Sequence, residues 1–200
     1  WSGTLDSRFT YDGQPVQIRT RVLPGPDAVF VDVQSPLVAS GRLGIAVRYP
    51  GVDPKINPDP ARWDGGGATA ILSRTPNRIH LRRTLDATRY WSTVASNGVL
   101  AQQGAAAVTV RGKGGERLTV IASFDRSAVP VNLPDADAAA RAVAEHWRRF
   151  WTRGGAIDFT GSTDPRAKEL ERRVVLSQYL SAINGAGALP PQEEGLFSNS

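Results

Sequence analysis

The run PVQIRTRV, residues 15–22, sets the strongest limit on what this chain can fold into. Val16, Ile18, Thr20 and Val22 alternate with Gln17, Arg19 and Arg21. That is the period of an antiparallel strand with one face buried. Similar short runs follow: AVFVDV, LGIAVRY, ATAILS, RIHLRRTL, RYWSTVA, AAAVTV and RLTVIASF. Turn signals separate them, among them Asp12-Gly13, the PGPD of residues 24–27, Asn97-Gly98 and the GKGG of residues 112–115. Short strands with turns this closely spaced predict an antiparallel β-sandwich over residues 1–133, read here as lacking its first strands. No helical period interrupts the strands before residue 135.

Composition removes several function classes. The net charge of +5 comes from 24 Lys and Arg against 19 Asp and Glu. The arginines are scattered, with no lysine-rich block, so a nucleic-acid partner is not expected. With no cysteine there is neither a disulfide nor a thiolate metal site. His80 and His146 are too few for the usual zinc sets, so neither a metal nor a cofactor is expected. No apolar run approaches the roughly 20 residues of a membrane-spanning helix, and no membrane partner is expected. The chain has no methionine and opens on Trp1, which predicts that it does not begin at its own start codon. The compartment stays open between cytoplasm and export.

One connection is unusually long. Residues 49–67 read YPGVDPKINPDPARWDGGG, without periodicity. Unstructured connections beyond about 12–15 residues are functional or disordered more often than not. Trp63 within it is either an anchor against the sandwich or a flat platform for a sugar ring. Asp53, Asp59 and Asp64 lack the dense alternation of a calcium loop.

After residue 133 the texture becomes helical. Residues 135–151 form a helix capped by Asp135 and stopped by Gly154-Gly155. Ala136, Ala140, Val143, Trp147, Phe150 and Trp151 share one stripe, while Asp137, Arg141, Glu145, Arg148 and Arg149 lie on the other side. Rings and arginines on separate faces do not make a stacking-and-phosphate groove for nucleic acid. The stripe is there to pack, and His146 at its edge is read as structural. The linker therefore covers residues 134–163, helix plus a short extended link. A second helix follows, with Thr163 or Asp164 as its cap and Pro165 in its first turn. Its second half carries Val174, Val175, Leu176, Tyr179, Leu180, Ala182 and Ile183 right round the wheel. A helix apolar on every side is expected to be buried on every side.

Signatures of chemistry are few. There is no nucleophile elbow, phosphate loop, dinucleotide fingerprint or zinc-protease motif. RGKGGER at residues 111–117 joins two strand-like runs and is read as a hairpin turn. The remaining polar cluster is Gln192, Glu193, Glu194 and Asn199, on the proline-stiffened stretch LPPQEEGLFSNS. Paired carboxylates are what glycoside hydrolysis uses. Adjacent glutamates in an extended chain point opposite ways, so these two cannot both flank one bond. A solvated loop explains them as simply.

HWRRFWTRGGAIDF at residues 146–159 and TDPRAKELERRVVLSQYLSAINGAGALPPQEEGLFSNS at residues 163–200 resemble the linker and first barrel helix of certain bacterial glycoside hydrolases. These are similar to glycoside hydrolase family 65, which includes maltose and kojibiose phosphorylases and acid trehalases. The strands before residue 134 match only in style. The resemblance implies an N-terminal β-sandwich, a two-helix linker and an (α/α)6 barrel, with residues 164–200 supplying the first barrel helix and a loop on the pocket side. It implies a chain without catalytic residues, since the general-acid glutamate of such enzymes comes much later. Its role would be to support a downstream barrel acting on α-linked glucosides. Gln192, Glu193, Glu194, Asn199 and Trp63 would be its candidates for contact with the carbohydrate. The alternative is a stand-alone carbohydrate-binding sandwich with a helical appendage.

Overall fold

The structure, a computed structural model, describes residues 1–51 and 66–187. It divides into two compact units, one of Thr4–Val143 and one that joins Trp1–Gly3 to residues from Ala144 onward.

The larger unit is an antiparallel β-sandwich. Its main sheet has seven strands in the order β1 (Leu5–Tyr11), β2 (Gln14–Val22), β3 (Ala28–Gln34), β10 (Arg117–Asp125), β7 (Thr88–Ser96), β6 (Arg78–Leu85) and β5 (Ala68–Thr75). A smaller sheet has the order β4 (Gly44–Arg48), β9 (Ala107–Arg111) and β8 (Val99–Gln103). The core lies between them. Val16, Val33, Ile79, Leu81, Val94, Leu118 and Val120 of the large sheet form one buried cluster with Leu100, Val108 and Val110 of the small one. Each such side chain contributes about 1.5–3 kcal/mol by leaving water. The inward residues alternate along each strand as their sequence did, so Ile18 pairs with Val33 and Ile79 with Val94.

Turn chemistry fixes the register. Asp12 and Gly13 adopt φ of 50° and 71° and close the β1–β2 hairpin in two residues. That backbone twist matches the twist of the flanking strands. Asn97 works differently, because β7 and β8 belong to different sheets. Its Nδ2 donates to the Arg117 carbonyl at 3.1 Å and its Oδ1 accepts from Thr119 N at 2.8 Å, which pins the corner to β10.

The opposite face of the large sheet is also covered. Phe30, Thr93, His80 and Ile121 are buried there. His80 Nε2 meets the Ala128 carbonyl at 3.1 Å, Arg78 donates to the Leu133 carbonyl at 3.3 Å, and Arg117 bridges Asp32 and Asp137 at 3.0 and 3.1 Å. Residues 128–137 therefore lie across this face. They lead into α2 (Ala136–Arg153), whose first turns bury Ala139 and Val143. Asp135 caps α2 as expected, its Oδ1 accepting from Ala138 N at 2.7 Å.

The second unit is built on rings. Trp147 is buried and sits 4.9 Å from Tyr179, 5.2 Å from Phe150 and 5.9 Å from Trp151, centroid to centroid. Trp151 Nε1 donates to the Trp1 carbonyl at 2.6 Å, with the two indoles edge to face. The apolar stripe of α2 thus does pack, while Arg148 and Arg149 stay on the solvent side, each within ion-pair range of Glu145. Phe159 N donates to Glu171 at 2.8 Å, which ties the extended link to α3 (Ala167–Asn184).

Several expectations need correction. GKGG does not close a hairpin, because β9 and β10 lie in different sheets and residues 112–116 carry the chain from one to the other. A short helix does interrupt the strands: α1 (Pro36–Ala39) is capped by Ser35, whose Oγ accepts from Leu37 N at 3.2 Å. β1 and β8 had no counterpart among the strand-like runs. α3 begins at Ala167 with Arg166 in the cap position, while the Asp164 carboxylate receives Arg166 N at 2.8 Å in the turn before it. Its second half, apolar right round the wheel, is only partly covered by the described residues, as expected for a helix that the rest of this chain cannot surround. Val175 alone of that half is buried among the described residues, and Leu176 and Ile183 are each 42% exposed.

Candidate functional site

The residues named from the sequence as carbohydrate contacts are Trp63, Gln192, Glu193, Glu194 and Asn199, and all five lie outside the described residues. So do Asp53, Asp59 and Asp64. The structure does describe both roots of the segment that carries Trp63. They meet at a buried polar cluster that the strand pattern alone did not single out.

Arg83 is the centre of that cluster. In β6 it follows Ile79 and Leu81 on the inward row, so alternation drives it into the sandwich. It is 0% exposed. Its Nη1 donates to Thr69 Oγ1 at 2.9 Å and to the Ala105 carbonyl at 2.8 Å, and its Nη2 to the Pro50 carbonyl at 3.1 Å. Thr69 itself donates to the Ala105 carbonyl. The acceptors of these bonds are neutral. A buried cation held by neutral acceptors is costly unless every donor is used, and Arg83 Nε has no partner among the described residues.

Tyr49 lies beside it at the end of β4. Its hydroxyl and Ser92 Oγ are 3.0 Å apart, and its ring stands edge-on to Phe124 at 6.3 Å. Burial pushes the Tyr49 phenol up to about 12, with the Ser92 hydrogen bond pulling the other way. Gly67 closes the second root at φ +82°, and a Cβ there would come within 3.0 Å of Arg83 Nη2 and 2.5 Å of Leu85 Cδ2. Pro50 on one side and Thr69 on the other, two residues beyond Gly67, are thereby held by one guanidinium.

This cluster positions backbone. It holds no nucleophile next to a base and no pair of facing carboxylates, and no group of three or more His, Asp or Glu among the described residues could hold a metal ion. His80 is buried, with Nδ1 3.0 Å from Thr93 Oγ1 and Nε2 on the Ala128 carbonyl, so both ring nitrogens are used in packing. His146 is exposed and edge-on to Trp147. No described helix is long and apolar enough to cross a membrane. The signal for Arg83 was in RIHLRRTL, where an arginine occupies a position whose neighbours two residues away are both apolar.

No protein-family model matches the chain, and no curated protein matches it. Among solved structures it is similar to one described as "Putative kojibiose phosphorylase from human microbiome", with 11% identity, a TM-score of 0.34 and 90% of this chain covered. The chain spans 22% of that structure's length.

Proposed function

We propose that this chain is the non-catalytic N-terminal region of an enzyme acting on α-linked glucosides, a β-sandwich and linker that support a helical barrel. The observation that carries the reading is α3. It continues the stretch that resembles the first barrel helix of family 65 enzymes, and several of its large apolar side chains stay exposed among the described residues. Leu170 is 51% exposed, and Leu176 and Ile183 are 42% exposed. A helix in water gains nothing from such residues, whereas one set into a barrel wall buries them at about 1.5–3 kcal/mol each. The sandwich before it and the ring-packed linker agree with the layout that the resemblance implies.

In the whole enzyme one barrel glutamate would protonate the leaving oxygen, while a base or phosphate supplies attack from the other face of the sugar. Gln192, Glu193, Glu194 and Asn199 would line the sugar pocket, and the segment held between Pro50 and Gly67 would bring Trp63 to its rim. The 200 residues alone are expected to show no glucosidase or phosphorylase activity. The test is the reading frame beyond Ser200 together with its product. Paired amphipathic helices there, and turnover of maltose or kojibiose by the longer polypeptide, are the expected results. A frame that continues without such helices, or a longer product inert towards α-glucosides with and without phosphate, would overturn the proposal.

A further inference from the structure

β1 ends the large sheet, and among the described residues no strand pairs with its outer edge. Its ladder with β2 runs without a break from Leu5↔Thr20 to Tyr11↔Gln14. At the other end of the sheet β5 is interrupted by a register shift between Ile71 and Ser73. Bulges, prolines and lysines commonly keep an edge strand from taking a partner. β1 has none of the three.

The hairpin decides which backbone groups that edge offers. In a two-residue hairpin the pair flanking the turn, here Tyr11 and Gln14, exchanges both of its backbone hydrogen bonds. Counting back in twos, Phe9, Ser7 and Leu5 also turn their N–H and C=O towards β2. Pro15, with no N–H to give, accordingly stands opposite Thr10. Asp6, Arg8 and Thr10 therefore direct their backbone groups outwards. The same alternation sorts the side chains. Leu5, Ser7, Phe9 and Tyr11 share the inner face with Val16 and Ile18, while Asp6 and Arg8 lie on the outer face with Arg19 and Gln17. Leu5 and Phe9 continue the core row, yet they stay exposed at its margin.

A second copy of β1 fits this edge. Antiparallel copies bond only where an outward-directed residue of one faces an outward-directed residue of the other. A two-fold axis at Asp6 sets the two aspartates against each other, and one at Arg8 does the same with the arginines. Like charges directly opposite are destabilising. An axis at Ser7 instead sets Asp6 opposite Arg8 twice, and on the inner face it sets Leu5 opposite Phe9 twice. Leu-Asp-Ser-Arg-Phe thus complements itself about its middle residue. Asp6 and Arg8 already pair along the strand at 3.0 Å, so two copies bring four charges into one alternating square.

We propose that β1 is a homodimer interface, in which two copies join antiparallel about a two-fold axis at Ser7 and their large sheets become one. Main-chain hydrogen bonds supply affinity, the crossed Asp6–Arg8 pairs fix the register, and the Leu5–Phe9 pairs bury apolar surface. A single strand pair is a small interface, so the association is weak and depends on concentration. It lies within Thr4–Val143 and does not depend on the barrel reading above.

The test is the mass of the 200-residue chain by light scattering at concentrations up to about 1 mM. A rise from monomer towards dimer is expected. Asp6→Arg and Arg8→Asp each set like charges opposite one another and should weaken the dimer about tenfold or more. Both substitutions in one chain exchange the charges and should restore it. Should Asp6→Arg disturb the hairpin by crowding Arg19, as circular dichroism would show, Ser7→Cys decides the matter. The chain has no cysteine, and residue 7 meets its own copy in a non-hydrogen-bonded pair with Cα atoms about 4.5 Å apart, within reach of a disulfide. Mild oxidation should give a covalent dimer, and adding Arg8→Asp should suppress it. A chain that stays monomeric at about 1 mM, or a dimer that survives both single charge reversals, would overturn the proposal. So would a folded double variant that fails to recover, or cross-linking of Ser7→Cys that Arg8→Asp leaves unchanged.

Discussion

The guanidinium carbon of Arg83 lies 5.8 Å from the centroid of the Tyr49 ring, and both side chains are withdrawn from solvent. The pair sits where the small sheet ends and the segment carrying Trp63 departs. A cation over an aromatic face is attracted to it, more so when dry. That attraction adds to the three hydrogen bonds by which Arg83 holds Thr69, Ala105 and Pro50. Removing the side chain takes a donor from the Pro50 and Ala105 carbonyls and leaves a cavity where the guanidinium lay. Arg83→Ala is expected to destabilise the sandwich by about 3–5 kcal/mol. Arg83→Met refills the volume without burying a charge and should cost clearly less. Urea unfolding of both variants checks this, and equal losses would mean that the cavity costs nothing and the lost hydrogen bonds account for the whole effect.

Tyr49 gives the same region a pH dependence. Its phenol is neutral when protonated, and burial raises its folded pKa to about 12, above the roughly 10 of an unfolded tyrosine. An acid whose pKa is raised on folding stabilises the fold below the unfolded value and loses that contribution as pH climbs towards the folded one. Stability should therefore fall between about pH 10 and 12, by about 2–3 kcal/mol from this residue. Tyr49→Phe should cost about 1 kcal/mol at pH 7 through the lost Ser92 contact and should flatten the alkaline slope. An alkaline slope that is as steep in Tyr49→Phe as in the parent chain would show that other groups are responsible.

The strands that were legible in the sequence are those with one buried side. Val16, Ile18, Val94 and Val120 alternate because the core alternates, and the pattern survives translation into residues. β1 was passed over although Leu5, Phe9 and Tyr11 alternate with Asp6, Arg8 and Thr10, because a short run with a serine in its apolar row and no buried residue is a weak signal. α1 is one turn long and leaves no period. The GKGG corner shows a different limit. Glycine-rich turns look alike whether the next strand pairs with the last one or crosses to the other sheet, since that choice is made by the core and not by the turn. Capping at Asp135 was legible because the bond it makes is local. Arg83 was the costliest omission, for alternation placed it inside while its charge argued for the surface. Neutral carbonyls drawn from residues 33 and 22 positions away settle that conflict. The carbohydrate candidates Trp63, Gln192, Glu193, Glu194 and Asn199 fall outside the described residues, and their case rests on the sequence.

Gly67 and its neighbour Gly66 separate sterics from backbone preference. Both have positive φ, +82° and +59°, but only at Gly67 would a Cβ meet other atoms. Gly66→Ala is expected to cost about 1–2 kcal/mol, the penalty of a left-handed residue with a side chain. Gly67→Ala adds contact with Leu85 Cδ2, Arg83 Nη2 and the Thr84 carbonyl and should cost at least about 1–3 kcal/mol more. Denaturant midpoints for the two variants check the order. Reversal of that order would show that Arg83 and Leu85 give way freely.

Trp147 is the residue on which the helical unit turns. It touches Phe150, Trp151 and Tyr179, so it joins both helices, whereas Val175 and Ala167 are small. Trp147→Ala should cost about 3–5 kcal/mol of the unit's stability, the usual loss for a buried tryptophan. A unit of this size has little stability in reserve, so α3 is expected to lose protection from hydrogen exchange while the β10 amides keep theirs. Leu176→Glu is the contrasting variant. Its side chain is exposed, so the 200-residue chain should tolerate it within about 0.5 kcal/mol and bind less of a hydrophobic dye. In a longer polypeptide in which α3 enters a barrel wall, the same glutamate would be buried without a partner and should prevent the protein from folding. Equal tolerance in both contexts would show that α3 keeps this face in water, and the barrel reading would fall with it.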